Sequence, residues 1–224
     1  MGTKRYAILL IGALLLSHQG FAAEFTVNNT EDAVDLTPGD GVCVTATGQC
    51  TLRAAIQETN ALNGADTINL PSGTYELTRP KDPSLCEAIC PDPLTDERGD
   101  LDITDELTII GSGSETTVID ALPMQSIDDR ISNARVLHIG PEATVELRGL
   151  RIQGGSVSAS GGGGIFNEGA LTLHDCVITD NQALVGGGVY FDRWWRAFQH
   201  RHANGEPDHE SPQRSGRDGR WHPQ

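Results

Sequence analysis

Apolar spacing divides the chain into distinct regimes. Tyr6 to Leu16 is an unbroken apolar run without a charge. From residue 66 to 191 the apolar residues come instead in short bursts separated by Gly, Pro, Asn and Asp. They are Ile68-Asn69-Leu70, Tyr75-Glu76-Leu77, Leu101-Asp102-Ile103, Leu107-Thr108-Ile109-Ile110, Val118-Ile119 and Val136-Leu137-His138-Ile139, with later ones to Phe191. Bursts of this kind, bounded by turn formers, predict short β-strands. Residues 23–65 differ again, opening with a strand-like Phe25-Thr26-Val27 and a turn-rich Thr37-Pro38-Gly39-Asp40-Gly41. One helix follows, predicted over 52–63. Thr51 is a good N-cap, Leu52, Ala55, Ile56 and Leu62 fall near one face, and Gly64 is a stop signal.

The strand region repeats itself. Gly162-Gly163-Gly164-Ile165-Phe166 recurs 24 residues later as Gly186-Gly187-Gly188-Val189-Tyr190. Leu147-Arg148-Gly149-Leu150-Arg151-Ile152 is matched 26 residues later by Leu173-His174-Asp175-Cys176-Val177-Ile178. A period in the twenties, with short strands and glycine corners, is the mark of a solenoid. Leucine-rich repeats need a dense Leu-x-x-Leu-x-Leu frame followed by Asn, which this chain lacks. The expectation is therefore an all-β parallel β-helix over 66–191. Leu147 should lie under Leu173, and Ile165 under Val189, with Arg148 and His174 side by side on the outer face. About four or five rungs fit, and the last would present unpaired edges, so self-association through that carboxy-terminal rung is expected.

The amino-terminal run reads as an address label. Lys4 and Arg5 precede it, and Ser17 to Ala23 follows as a stretch ending in small residues. The run is too short to cross about 30 Å of hydrocarbon. Small residues at positions −3 and −1, Gly20 and Ala22, favour cleavage after Ala22; cleavage after Ala23 would put bulky Phe21 at −3. Residues 1–22 are thus expected to be a signal peptide. The mature chain, with no transmembrane segment, is expected to be secreted or held in the cell envelope or outer membrane. Export makes disulfides the natural state of the paired cysteines. Local pairs, Cys43 with Cys50 and Cys86 with Cys90, are one arrangement and pairing across the two loops is the other. Cys176, in an apolar pattern, suits a small buried hydrophobe. No His or Cys cluster has zinc spacing, and no metal or other cofactor is expected.

Charge narrows the chemistry. Lys and Arg number 16 against 31 Asp and Glu, for a net −15, which excludes nucleic acid as a partner. Gly is abundant at 26 residues and aromatics make up 5%, which suits many tight turns. Lys81 is the only lysine after the leader and sits in a Pro-bounded loop better suited to solvent than to catalysis. Asp92, Asp96, Glu97, Asp100, Asp102 and Asp105 form an acidic run without the spacing of a known calcium loop, expected to be solvated surface charge. Arg98-Gly99-Asp100 spells an integrin-type tripeptide inside a stretch that strand formation already accounts for, and Asn28-Asn29-Thr30 is a sequon that matters only in a glycosylating host. Residues 192–224 hold all three Trp, four of the seven His and six of the sixteen basic residues, and the strand pattern stops there at once. This tail is expected to be disordered and to reflect translation in a shifted frame after about Phe191, or a truncated gene.

Gly39-Asp40-Gly41-Val42-Cys43 followed by Gly48-Gln49-Cys50-Thr51-Leu52-Arg53-Ala54-Ala55-Ile56-Gln57-Glu58 resembles the amino-terminal CSLREA motif of exported bacterial repeat proteins. Thr51 stands for its Ser and Ala54 for its Glu. Asp66 to Tyr75 and Gly99 to Ile103 also resemble that family, and Gly162 to Asn167 is similar to the repeat of polymorphic outer membrane proteins. The second copy has Phe191 in place of the Asn. The resemblance covers residues 24–191. It implies a right-handed parallel β-helix whose amino-terminal end is covered by the helix, on an exported protein. The expected function is a non-catalytic scaffold or adhesin with a cell-surface or polysaccharide ligand. The alternative, a polysaccharide lyase or glycosidase, rests on fold analogy. No catalytic residues are assigned; Arg148 with His174 is the pair that a lyase would have to recruit.

Overall fold

A computed structural model describes residues 20–79, 99–122 and 133–191. All of them belong to one compact unit that ends at Trp194. Cys86, Cys90, Lys81, the acids Asp92 to Glu97, and residues 1–19 and 192–224, where a signal peptide and a disordered tail are expected, lie outside the described residues.

The chain winds as a parallel β-helix. Strand β1 (Glu24–Thr26) and helix α1 (Leu52–Ala61) precede a first rung of β2 (Asp66–Leu70), β3 (Gly73–Glu76) and β4 (Leu101–Ile103). The second holds β5 (Leu107–Gly111), β6 (Thr117–Asp120), β7 (Asn133–Ala134) and β8 (Leu137–Ile139). The third holds β9 (Thr144–Arg148), β10 (Arg151–Gln153), β11 (Ser156–Gly161) and β12 (Ile165–Asn167). The fourth holds β13 (Ala170–His174), β14 (Val177–Ile178), β15 (Gln182–Val185) and β16 (Val189–Phe191). Equivalent strands stack into three all-parallel sheets, β1-β2-β5-β9-β13, β3-β6-β10-β14 and β4-β8-β12-β16. The remaining sheet, β7-β11-β15, is mixed, because β7 runs antiparallel to β11.

Register produces dry files of side chains. Phe25, Ile68, Ile109, Leu147 and Leu173 stack in one file. Tyr75, Ile119, Ile152 and Ile178 form a second. Leu101, Leu137, Ile165 and Val189 form a third. The interior members are fully buried, each contributing about 1.5–3 kcal/mol of apolar burial. Both expected vertical pairs, Leu147 with Leu173 and Ile165 with Val189, are present. The repeat offsets of 24 and 26 residues hold only in the last two rungs; the earlier rungs are longer, which hides their period in the sequence.

The triglycine corners stack backbone on backbone. Gly164 N–H donates to the Gly187 carbonyl at 2.9 Å and Ile165 N–H to that of Gly188 at 2.8 Å. A Cβ on Gly164 would stand 2.6 Å from the Gly188 oxygen, so a side chain cannot fit between these turns. At the corner after β9, Gly149 (φ 60°) is followed one rung later by Asp175 (φ 52°) in the same left-handed conformation.

The helix begins as predicted. Thr51 Oγ1 accepts from Ala54 N–H at 3.2 Å and donates to the Ala33 carbonyl at 2.6 Å. Its end differs from the sequence prediction: helical backbone stops at Ala61, and Leu62 is already extended although its N–H still reaches the Glu58 carbonyl at 3.1 Å. α1 packs against β2 and β4, covering the interior at the amino-terminal end. Its polar side chains point inward too. Gln57 Oε1 accepts from Asp35 N–H at 2.7 Å, and the Glu58 carboxylate accepts from the amides of Gly39 and Gly41. Arg53 Nε donates to Asp32 Oδ1 at 2.5 Å, and its guanidinium also reaches the carbonyls of Gly99 (2.8 Å) and Asp100 (3.3 Å). The Cys43–Cys50 disulfide closes the loop that leads into the helix. That bond excludes the cross-loop pairing for these two residues.

Candidate functional site

Strand alternation sets up the site. In β4, β8, β12 and β16 the apolar file faces the interior, and the residues between its members face outward in register: Asp102, His138, Phe166 and Tyr190. An outward row is ordinarily wet, yet Asp102 is 1% and His138 4% exposed. The expectation that Asp100 and Asp102 are solvated surface charge is therefore corrected: both are buried. Burying a carboxylate is costly unless charge and hydrogen bonds meet it, and here charged side chains stand beside both. His138 stands between two carboxylates, with Nδ1 3.1 Å from Asp102 Oδ1 and Nε2 2.9 Å from Glu168 Oε2. Arg135 places NH1 3.2 Å from Asp100 Oδ2 and Nε 3.1 Å from the Gly162 carbonyl oxygen. Its guanidinium lies 4.6 Å from the centre of the Phe166 ring. Phe166 meets His138 edge-on at 5.2 Å and stacks on Tyr190 at 5.5 Å.

The electrostatics of this column are set by His138. Burial pushes its pKa down, but the Asp102 carboxylate 3.1 Å from Nδ1 and the hydrogen bond to Glu168 outweigh burial and hold it above the ordinary value of 6.5. Asp100, Asp102 and His138 place ligand atoms within 4.8 Å of one another, close enough for a metal ion. Their chemistry argues for another occupant. The Arg135 guanidinium already brings positive charge to these carboxylates, and a dication there would meet it. The column acts as a clamp between rungs. Because Asp100 is buried, the Arg98-Gly99-Asp100 tripeptide does not offer its carboxylate to a receptor.

Arg148 and His174 do lie side by side, as the repeat implied. Both approach one carboxylate oxygen, Glu146 Oε1, at 2.6 and 2.8 Å, and both are half exposed. An exposed trio of this kind contributes little to stability. Its imidazole and guanidinium share a carboxylate, so neither stands as an unengaged base. An open depression elsewhere is lined by Glu31, Asp32 and Glu76 with Thr30, Thr74 and Thr78. Among the described residues its lining offers carboxylates and hydroxyls and no cation to neutralise a uronate.

Cys43 and Cys50 are bonded as one of the two expected arrangements had it, whereas Cys86 and Cys90 lie outside the described residues. Cys176 is a free, half-buried thiol packed at the margin of the core, its Sγ 3.3 Å from the His174 carbonyl and 3.4 Å from that of Leu147. Ala22 is exposed at the surface. Sequence reasoning missed the clamp of Asp100, Asp102, Arg135, His138 and Glu168. The available signal was Asp102 and His138 at matching central positions of Leu-Asp-Ile and Leu-His-Ile. Among the described residues no helix is long and apolar enough to cross a membrane. Comparison with family models, with curated proteins and with solved structures finds no match.

Proposed function

We propose that this chain is an exported, non-catalytic β-helix module of a bacterial cell envelope, akin to the CSLREA-motif proteins, that presents its outer face to a cell-surface or polysaccharide ligand. One observation carries the reading: the buried ionisable side chains that stacking brings together are engaged with one another and with the backbone of neighbouring rungs. His138 lies between Asp102 and Glu168, and Arg135 lies on Asp100 and the Gly162 carbonyl. The residues that carry the motif resemblance have the same character. Arg53, Gln57 and Glu58 bind loop backbone and Asp32, and Cys43 and Cys50 close the loop. A lyase needs an unengaged base and a uronate-neutralising cation, and a hydrolase needs two open carboxylates about 5–9.5 Å apart. The clamp offers neither arrangement to a substrate.

Two measurements test the reading. Purified protein incubated with pectin, alginate and glycosaminoglycans should yield no absorbance from unsaturated uronate and no new reducing ends. Either signal would replace the scaffold with an enzyme, and loss of that signal in Arg148→Ala or His174→Ala would locate the chemistry. Fractionation of bacteria producing the full chain should recover it outside the cytoplasm; retention in the cytosol would refute export.

A further inference from the structure

The amide of Ala23 sits at an unusual place. Its nitrogen lies 2.7 Å from Asp66 Oδ1, and its carbonyl accepts from Thr67 N–H at 2.9 Å, so the residue is held as an extension of β1 along β2. Asp66 is 1% exposed, and its second oxygen, Oδ2, has no hydrogen-bond partner among the described residues. One amide hydrogen is a poor match for a buried carboxylate, which accepts several bonds and calls for a counter-charge. Among the described residues nothing nearby supplies that charge. Asp105 acts on Asp66 with like charge, Glu106 contributes its carbonyl to Asp66 N–H, and Glu24 accepts from Asn69. The ionisable groups of α1 are engaged elsewhere, Arg53 on Asp32 and Glu58 on the amides of Gly39 and Gly41.

We infer that hydrolysis of the Ala22–Ala23 bond supplies the missing partner, and that the new α-ammonium of Ala23 pairs with buried Asp66 to lock the first strand of the mature fold. Water provides the hydroxyl that completes the Ala22 carboxyl group and one hydrogen for the Ala23 nitrogen, and ionisation of that new carboxyl group releases the proton that turns the amine into an ammonium. One N–H donor then becomes three with a full positive charge, beside the Asp66 carboxylate. The inference rests on the export reading, because the leader peptidase is what makes the cut. It also supplies a physical role for cleavage at this bond: a cut one residue later would remove the nitrogen that Asp66 holds, and a cut one residue earlier would leave an amide there. With the peptide intact, burial and Asp105 hold the Asp66 pKa above its ordinary 3.8. Such a carboxyl group favours the folded state when protonated, so the uncut chain loses that contribution as pH rises through the raised value. The cut chain has the opposite behaviour, because the ammonium favours the ionised carboxylate.

The test compares three forms: the chain from Ala23 to Gln224 with a free amine, the same chain acetylated at Ala23, and the chain beginning at Gly20. The free-amine form is released from an amino-terminal fusion by a protease that leaves Ala23 first. At pH 7 it should melt about 5 °C or more above the other two. The gap should close in Asp66→Asn, and should close again as pH rises through the amine pKa. Equal midpoints, or a gap that survives Asp66→Asn, overturn the ion pair. Should Asp66→Asn not fold, NMR titration of the Ala23 amine in the natural sequence decides: a pKa well above the usual range of about 7.7–8.0 supports the pair and an ordinary value overturns it. Mass spectrometry of the exported chain reads the other half. Ala23 as first residue supports the assignment, whereas a different first residue together with a measured ion pair overturns the processing site and leaves the electrostatics standing. Failure of export itself removes the reading on which the cut depends without altering the midpoints.

Discussion

At the scale of the residue, His138 is the group whose chemistry the fold has changed most visibly. Its imidazole is held between Asp102 and Glu168, and its pKa stands above 6.5 despite burial. The sign of the linkage follows. A base with a raised folded-state pKa contributes stability that is fully present below the unfolded-state value and is lost as pH rises through the folded-state value. His138→Gln keeps one hydrogen-bond donor and removes the titration. We expect it to cost about 1–3 kcal/mol in denaturant unfolding at pH 5.5. That cost should shrink as pH rises through the raised folded-state value; a cost independent of pH would show that His138 acts through packing alone. The clamp was only partly legible in the sequence. Alternation places Asp102 and His138 outward, and outward ordinarily means wet, so burial there depends on Glu168, from the turn after β12, and on Arg135, from the corner before β8, where it reaches Asp100 of the rung below. Such an arrival is a tertiary event that no local pattern announces.

At the scale of the element, the corners and the amino-terminal cap divide the glycines into two kinds with different costs. A Cβ on Gly163 would run into the backbone oxygens of Gln182 and Gly187 in the next rung. Gly41 meets nothing within 4 Å, but its φ of 84° is left-handed. Gly163→Ala should therefore destabilise by about 2–3 kcal/mol through forced rung separation. Gly41→Ala should cost about 1 kcal/mol through backbone strain alone. Thermal midpoints of the two variants check the order, and a reversed order would deny the close backbone stacking. The disulfide belongs to the same cap. Replacing Cys43 and Cys50 together by Ser should lower unfolding free energy by about 2–3 kcal/mol, the loop-closure term for a separation of seven residues. Elements were the most legible level. Thr51 announced the helix start, and Leu101-Asp102-Ile103 was read to its exact bounds. The helix end was misplaced because Leu62 continues the apolar face while its backbone has already turned outward. The antiparallel β7 carries no signal, being two residues long.

At the scale of the molecule, a solenoid is a stack whose stability grows with each rung and whose ends are its weakness. The amino-terminal end has α1 packed against β2 and β4. At the other end, β13, β14, β15 and β16 are the outermost strands of their sheets among the described residues. Burial falls away there: Leu173 is 39%, Leu184 75%, Val185 55% and Phe191 54% exposed, whereas Leu147, one rung below Leu173, is 0% exposed. Strand edges of this kind, with apolar side chains beside them, template pairing with another chain. Association through the fourth rung is thus the expected solution behaviour of the chain from Ala23 onward. Sedimentation across a range from about 1 to 100 μM should show mass rising with concentration, since edge pairing between two chains obeys mass action. Leu184→Glu combined with Val185→Lys places opposite charges on the most exposed apolar pair of β15, and should return the protein to a monomer whose thermal midpoint no longer depends on concentration. A monomer at every concentration in the natural sequence would mean that this end is covered. An associating double variant would move the contact to another face. The two failures point to different parts of the fold, so the experiment also tests where the stack ends.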